Sequence, residues 1–301
     1  MLRYITVENG IILFQLSIFV NHISENFAIM FHMIKTNWHT HTKRCGHAIG
    51  EDEDYVKAAI EGGLKTLGFS DHAAYKTQVP TERMNISQVG EYMASIRSLK
   101  EKYKDQIDIY LGMEVECYQS EWDTLSQFRK ELDYCILGQH NIDLDLISSY
   151  GLNTPQQLSM YVDRLEYACK HALCDYIAHP DVCLYSYPYM DESVRKIAER
   201  IAKISITYDM PLELNTGSGV HNGMHSYPDG KRYAYPTRIF FEEFAKKKCP
   251  VIIGLDVHNP ELFKTDTDLN RALSVVEGLD LNFLTDYDLA SSAKKRKELF
   301  Y

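Results

Sequence analysis

At 301 residues, 45% of them hydrophobic, the chain is long enough to bury the core of one barrel-sized domain. A formal net charge of -10 and a pI of about 5.6 leave no basic excess to replace phosphate counterions, which argues against nucleic acid as the main partner and for a small substrate. Its seven cysteines (Cys45, Cys117, Cys135, Cys169, Cys174, Cys183 and Cys249) include no C-x-x-C pair, so neither a disulfide framework nor a zinc ribbon is indicated, and a cytoplasmic location is expected.

Residues 1–32 hold the apolar stretch 11–20, with Arg3, Glu8 and Glu25 as their charges. That stretch is shorter than the about 20 apolar residues a spanning helix needs. No basic start or small-residue cleavage site marks a secretory signal. With Met33 directly before the first strand-like run, residues 1–32 read as an extension from an upstream start codon, a peripheral membrane anchor being the weaker alternative. Residues 33–301 read as a single catalytic domain, and no membrane partner is expected.

From Met33 onward, strand-like and helix-like segments alternate. Strand-like runs lie near Ile34, Lys65, Ile107, Tyr134, Tyr176, Pro211, Val251 and Leu281. Acidic residues 51–54 open a helix with Tyr55, Val56, Ala59 and Ile60 at helical spacing, and Gly62-Gly63 ends it. Thr154-Pro155 is an N-cap with proline at the first helical position, followed by Leu158, Tyr161, Val162, Leu165 and Cys169 on one face. Asp191 opens another helix, with Val194, Ile197, Ile201 and Ile204 inward. The α/β alternation describes a parallel series, for which a closed or distorted barrel is the natural architecture.

Ligand-type side chains sit at the ends of these runs. His39 and His41 are two apart and share one face of an extended strand, and Asp256 and His258 repeat the spacing near the other end of the chain. His72, Glu114, His140 and His179 each close an apolar run in between. The carboxyl ends of successive strands are where α/β barrels build active sites. With His47, these nine positions are too many for one ion and suit two or three divalent transition-metal ions: zinc, manganese or iron. Ions roughly 3.5 to 4 Å apart lower the pKa of a shared water and hold both oxygens of an in-line phosphoryl displacement, which favours phosphoester hydrolysis. Cys45, two residues before His47, could reach a metal, but a buried thiol is the preferred reading.

The ordered set His39-Thr40-His41-Thr42, Cys45-Gly46-His47-Ala48, Gly68-Phe69-Ser70-Asp71-His72-Ala73, Gly112-Met113-Glu114-Val115-Glu116, Leu137-Gly138-Gln139-His140, His179-Pro180-Asp181, Leu212-Glu213-Leu214-Asn215-Thr216 and Gly254-Leu255-Asp256-Val257-His258 resembles the PHP (polymerase and histidinol phosphatase) superfamily. Within it, the histidinol-phosphate phosphatases are the most similar branch. The resemblance implies a distorted (β/α)7 barrel with a trinuclear site. By that analogy His39, His41, Glu114 and Asp256 hold one ion, Glu114, His140 and His179 a second, and His47, His72 and His258 the third.

It also implies hydrolysis of L-histidinol phosphate to L-histidinol and inorganic phosphate in histidine biosynthesis. Another small phosphate ester or a nucleotide is the alternative. Arg83, after the Ser70-Asp71-His72-Ala73 motif, is expected to meet phosphate and, with Asp256, to serve catalysis. Glu116, Glu213 and Asn215 are candidate substrate contacts; the last two share a strand face and are expected at the barrel mouth, facing an amine. Residues 221–232 make an unusually long connection to Tyr235-Pro236, with His221 and His225 as candidate proton donors.

Overall fold

Short runs whose side chains are mostly buried on both faces form the central strands, as a parallel sheet covered by helices requires. The computed structural model describes residues 34–77, 82–144 and 147–300, so the expected extension over 1–32 lies outside the described residues. The strands are β1 (Thr36–Asn37), β2 (Thr66–Phe69), β3 (Asp108–Val115), β4 (Tyr134–Leu137), β5 (Tyr176–Ile177), β6 (Leu212–Asn215), β7 (His225–Tyr227), β8 (Gly230–Arg232), β9 (Pro250–Gly254) and β10 (Asn282–Phe283). Eight of them form one sheet in the order β1-β2-β3-β4-β5-β6-β9-β10, and every pairing in it is parallel. All eight expected runs are therefore strands.

The sheet curls until its ends meet. Beyond β1 and β9, the His41 amide donates to Val257 O at 3.0 Å and the Val257 amide to His39 O at 3.2 Å. The Leu255 amide donates to Asn37 Oδ1 at 2.9 Å. At the opposite end of β9, Pro250 and Val251 pair with β10. The result is the distorted α/β barrel, with seven strands reaching the mouth and β10 filling the seam at the other end. Trp38, Tyr134, Ile136, Tyr176 and Ile252 pack inside it.

The helices are α1 (Asp52–Glu61), α2 (Val89–Tyr103), α3 (Trp122–Glu131), α4 (Pro155–Lys170), α5 (Glu192–Tyr208), α6 (Ser218–His221), α7 (Arg238–Lys246), α8 (Thr267–Val275) and α9 (Leu289–Lys297). Their starts follow the capping chemistry of the sequence. Glu51 and Asp54 form a capping box on α1, Thr154 accepts from the Gln157 amide at α4, and Asp191 accepts from Ser193 and Val194 at α5. The long connection after β6 contains α6 and the antiparallel β7–β8 hairpin. Among the described residues, no helix is long and apolar enough to cross a membrane.

Candidate active site

The carboxyl ends of six strands deliver the expected side chains to one mouth: His39 and His41 after β1, His72 after β2, Glu114 in β3, His140 after β4, His179 after β5, and Asp256 and His258 after β9. Glu114 is their centre. Its Oε1 lies 2.8 Å from His179 Nε2, 3.5 Å from His140 Nε2 and 3.6 Å from His39 Nε2. Its Oε2 lies 2.8 Å from His72 Nδ1 and 3.6 Å from His41 Nε2. Gly138 makes this possible, since a Cβ there would fall 1.7 Å from Glu114 Oε1.

Asp256 Oδ1 forms a second focus, 3.4 Å from His39 Nε2, 3.2 Å from His41 Nε2 and 3.5 Å from His258 Nδ1. The His41 and His258 rings stack at 4.0 Å, and His47 stacks on His258 at 4.5 Å. Ligand atoms of His39, His41 and Asp256 lie within 4.8 Å of one another, as do those of His39, Glu114 and His179, of His41, His72 and His258, and of Cys45, His47 and His258. His179 and Asp256 hold left-handed backbone, with φ of 27° and 48°. Such strain costs about 1 to 3 kcal/mol per residue and gathers at functional sites.

Several buried atoms here have no hydrogen-bond partner among the described residues: His39 Nε2, both ring nitrogens of His41, Glu114 Oε2 and His258 Nε2. Burial alone would raise the Glu114 carboxyl, but His140, His72 and His39 outweigh it and hold it well below the usual range. Burial pushes His140 and His258 down to about 3, and His72 also falls well below its ordinary value. Burial opposes protonation of His39, yet Glu213, Asp256 and Glu114 keep it well above. Ionised carboxylates beside the neutral imidazoles of His72, His140 and His258 are donors that bind divalent transition metals. Against the effect of burial, the carboxylates also raise His41, to about 9, and His179, and metal binding would displace the protons held there. The Cys45 thiol is buried, and burial pushes it up to about 12.

A supporting layer lies behind these groups. The His39 Nδ1–H donates to Glu213 Oε1 at 2.8 Å; His47 and His258 donate from Nδ1 to the carbonyls of Cys45 and Asp256. Each contact leaves Nε2 free. Glu213 accepts three further bonds, from Tyr176 Oη (3.1 Å), the His179 amide (2.8 Å) and Asn215 Nδ2 (2.8 Å). Asn215 also donates to Asp256 and accepts from the Gly217 amide. Glu213 and Asn215 were expected to face an amine at the mouth. The structure instead puts both beneath the cluster, 0% and 1% exposed, with their polar atoms engaged by protein.

Arg83 Nη1 pairs with Glu116 Oε2 at 2.8 Å, and Glu116 Oε1 accepts from the amides of His140 and Asn141 at 2.8 and 3.0 Å. This pair is buried beside His140, and Arg83 Nε has no hydrogen-bond partner among the described residues. Above the cluster opens a cavity of about 660 Å³ whose walls include Tyr150, Tyr185, Tyr235, Ser218, His221 and Asp268. Of these, the sequence had pointed to His221 and, through its Tyr-Pro motif, Tyr235. The other four carry no spacing signal. His225 sits on the hairpin, its ring edge-on to that of Tyr185 with the centroids 5.2 Å apart, and does not line the cavity.

Known proteins share this arrangement of sequence and fold. A probable histidinol-phosphatase of Deinococcus radiodurans is 25% identical over 239 residues, covering 74% of this chain and 85% of the relative. The histidinol-phosphatase of Bacillus subtilis is 23% identical over 265 residues, covering 75% and 94%. A crystal structure of histidinol phosphate phosphatase from Lactococcus lactis, complexed with zinc, L-histidinol and phosphate, superposes with a TM-score of 0.62 at 18% identity, over 83% of this chain and 95% of that one. The PHP domain model matches residues 37–217, and the chain belongs to the PHP domain family.

Proposed function

We propose that the chain is a metal-dependent phosphomonoesterase that hydrolyses L-histidinol phosphate to L-histidinol and inorganic phosphate. The observation that carries the chemistry is Glu114, a buried carboxylate with nitrogens of His39, His41, His72, His140 and His179 within 3.6 Å. The substrate rests on the names of the relatives. Convergent buried ring nitrogens without hydrogen-bond partners among the described residues fit divalent metal ions. His39, His41, Glu114 and Asp256 would hold one ion, Glu114, His140 and His179 a second, and His47, His72 and His258 a third. Zinc, manganese and iron all suit this donor set. Bound there, such ions lower the pKa of a water and draw charge from phosphoryl oxygens.

The protein groups then divide the work. Glu213 fixes the proton of His39 on Nδ1, so that Nε2 faces inward as a lone-pair donor. Glu116 holds the backbone of His140 in place. Asp256, kept ionised by His39 and His41 against the effect of burial, accepts a proton from the attacking water. Arg83, anchored on Glu116 through Nη1, turns its remaining guanidinium edge to the phosphoryl group. We place the whole catalytic domain in residues 33–301, so that a chain begun at Met33 should keep its activity. A cytoplasmic location fits the seven buried free thiols.

The β7–β8 hairpin beside the cavity favours the second reading, a PHP phosphoesterase for a different small ester. One experiment separates the two. Activity on histidinol phosphate is compared with a panel of phosphate esters while bound metal is measured. Histidinol phosphate should have the highest kcat/KM; a generic aryl phosphate that matches it would move the function to the second reading.

A further inference from the structure

With Glu213 and Asn215 engaged beneath the cluster, recognition of the leaving alcohol must come from elsewhere in the cavity. A phosphoryl group over the cluster fills only part of about 660 Å³, and the remainder is of the size that takes a small organic group. Two features line that space. Tyr150 lies parallel to His140, ring centroids 5.9 Å apart, and meets Tyr185 edge-on at 5.3 Å, which makes an aromatic corner. His221, at the end of α6, has its Nδ1 2.6 Å from Asp268 Oδ2, in the first turn of α8.

The second feature is an oriented acceptor. The Asp268 carboxylate can only accept, so in the neutral ring the proton sits on His221 Nδ1 and Nε2 is the lone-pair atom. Asp268 is itself fixed by Arg271, which donates to Oδ1 at 2.8 Å. Arg271 also donates to the carbonyls of Val220 and His221 at 3.4 and 3.3 Å. Arg271 therefore already ties α6 to α8, and the half-exposed imidazole adds orientation rather than an anchor.

The same connection braces the aromatic corner. Tyr227 Oη donates to Tyr185 O at 2.7 Å. Arg232 donates to Leu184 O and Tyr187 O and stacks on the Tyr227 ring at 3.5 Å. One stretch of chain between β6 and α7 thus supplies the acceptor and holds the tyrosine.

We infer that His221, oriented by Asp268, is the subsite for the leaving alcohol, and that it selects alcohols whose far end carries an N–H donor, an ammonium or a ring N–H, with the body of the alcohol lying on Tyr150 and Tyr185. This rests on the phosphomonoesterase reading above. An alcohol that covers this half-exposed acceptor displaces its water, and one without an N–H leaves it without a partner, which disfavours such analogues.

The test is the ratio of kcat/KM for histidinol phosphate to that for phenyl phosphate, in His221→Ala and Asp268→Asn, with metal content and unfolding midpoint followed alongside. In His221→Ala the ratio should fall at least about tenfold, through KM more than kcat, and the inhibition constant of L-histidinol should rise by a similar factor. Asp268→Asn should move both in the same direction; if that variant fails to fold, His221→Ala decides alone. An unchanged ratio and unchanged L-histidinol inhibition in folded, metal-replete His221→Ala would overturn the assignment. If the wild type shows no preference for histidinol phosphate, the substrate reading fails separately. The subsite is then judged on 2-aminoethyl phosphate against ethyl phosphate, where His221→Ala must lower the preference for the amine if the assignment holds.

Discussion

At the amino-terminal end of β5, Asp175 is fully buried and takes 2.6 and 2.7 Å bonds from both terminal nitrogens of Arg129. Arg129 Nε donates to Ala172 O, and the Cys135 amide donates to Asp175. Just past the carboxyl end of the same strand, His179 meets Glu114 in a cluster where five buried ring and carboxylate atoms, on His39, His41, Glu114 and His258, have no hydrogen-bond partner among the described residues. Both ends bury charge. At one end both oxygens of Asp175 are matched by Arg129 and a backbone amide, with Arg296 Nε a further 3.7 Å away, so the pair serves the fold; at the other the protein supplies a surplus of inward donors of electron pairs, which cations match.

The sharpest way to break this comparison is at Glu114. Glu114→Gln removes the charge at the centre of the cluster, and activity should fall on the order of a thousandfold or more, the several kcal/mol that bound ions contribute to a phosphoryl transition state. Metal content measured by elemental analysis should fall with it. A Glu114→Gln protein with wild-type rate and metal would show that the open end of the barrel is not the site. The closed end should respond in stability instead. Arg129→Ala leaves buried Asp175 with only the more distant Arg296, 3.7 Å away, as its cation, and denaturant unfolding should show a loss of about 3 kcal/mol, the lower end for breaking a buried pair, while metal content per folded molecule stays at the wild-type value.

The open end was far more legible in the sequence than the closed one. Two-residue spacing and strand-end placement located His39, His41, Asp256 and His258 because a strand's side-chain period is fixed. The caps at Thr154 and Asp191 follow as directly from local chemistry. Arg129 and Asp175 are 46 residues apart, and nothing local marks them as partners. Glu213 and Asn215 were placed on the correct strand face, but a strand face does not say whether a carboxylate meets substrate or a neighbouring histidine. The hairpin did leave a trace: Tyr227-Pro228-Asp229-Gly230 has the composition of a tight turn.

Arg83 sharpens the comparison from between the two ends. Its Nη1 is matched by Glu116, as in the closed pair, yet its Nε has no hydrogen-bond partner among the described residues, as in the open cluster. On the phosphate-contact proposal, Arg83→Ala should lower kcat/KM by about 2 to 4 kcal/mol for every phosphate ester alike. Lost stability with kcat/KM unchanged would put Arg83 with Arg129, as a brace for Glu116 and the His140 loop.

Glu213 gives the smallest expected effect and the finest distinction, because it is a closed group that orients an open one. Its oxygens take four hydrogen bonds from the protein, one of them from His39 Nδ1. Glu213→Gln keeps the shape but replaces one acceptor oxygen by an amide donor. The proton of His39 is then less firmly held on Nδ1, and metal affinity should weaken about 10- to 100-fold, the usual effect of losing the partner behind a metal-binding histidine. Because the change acts through His39 and not through the leaving alcohol, kcat/KM at limiting metal should fall by the same factor for histidinol phosphate and for phenyl phosphate, and added metal should restore much of both. A loss confined to histidinol phosphate, with metal affinity intact, would return Glu213 to the substrate and leave His39 to be oriented by the rest of the cluster.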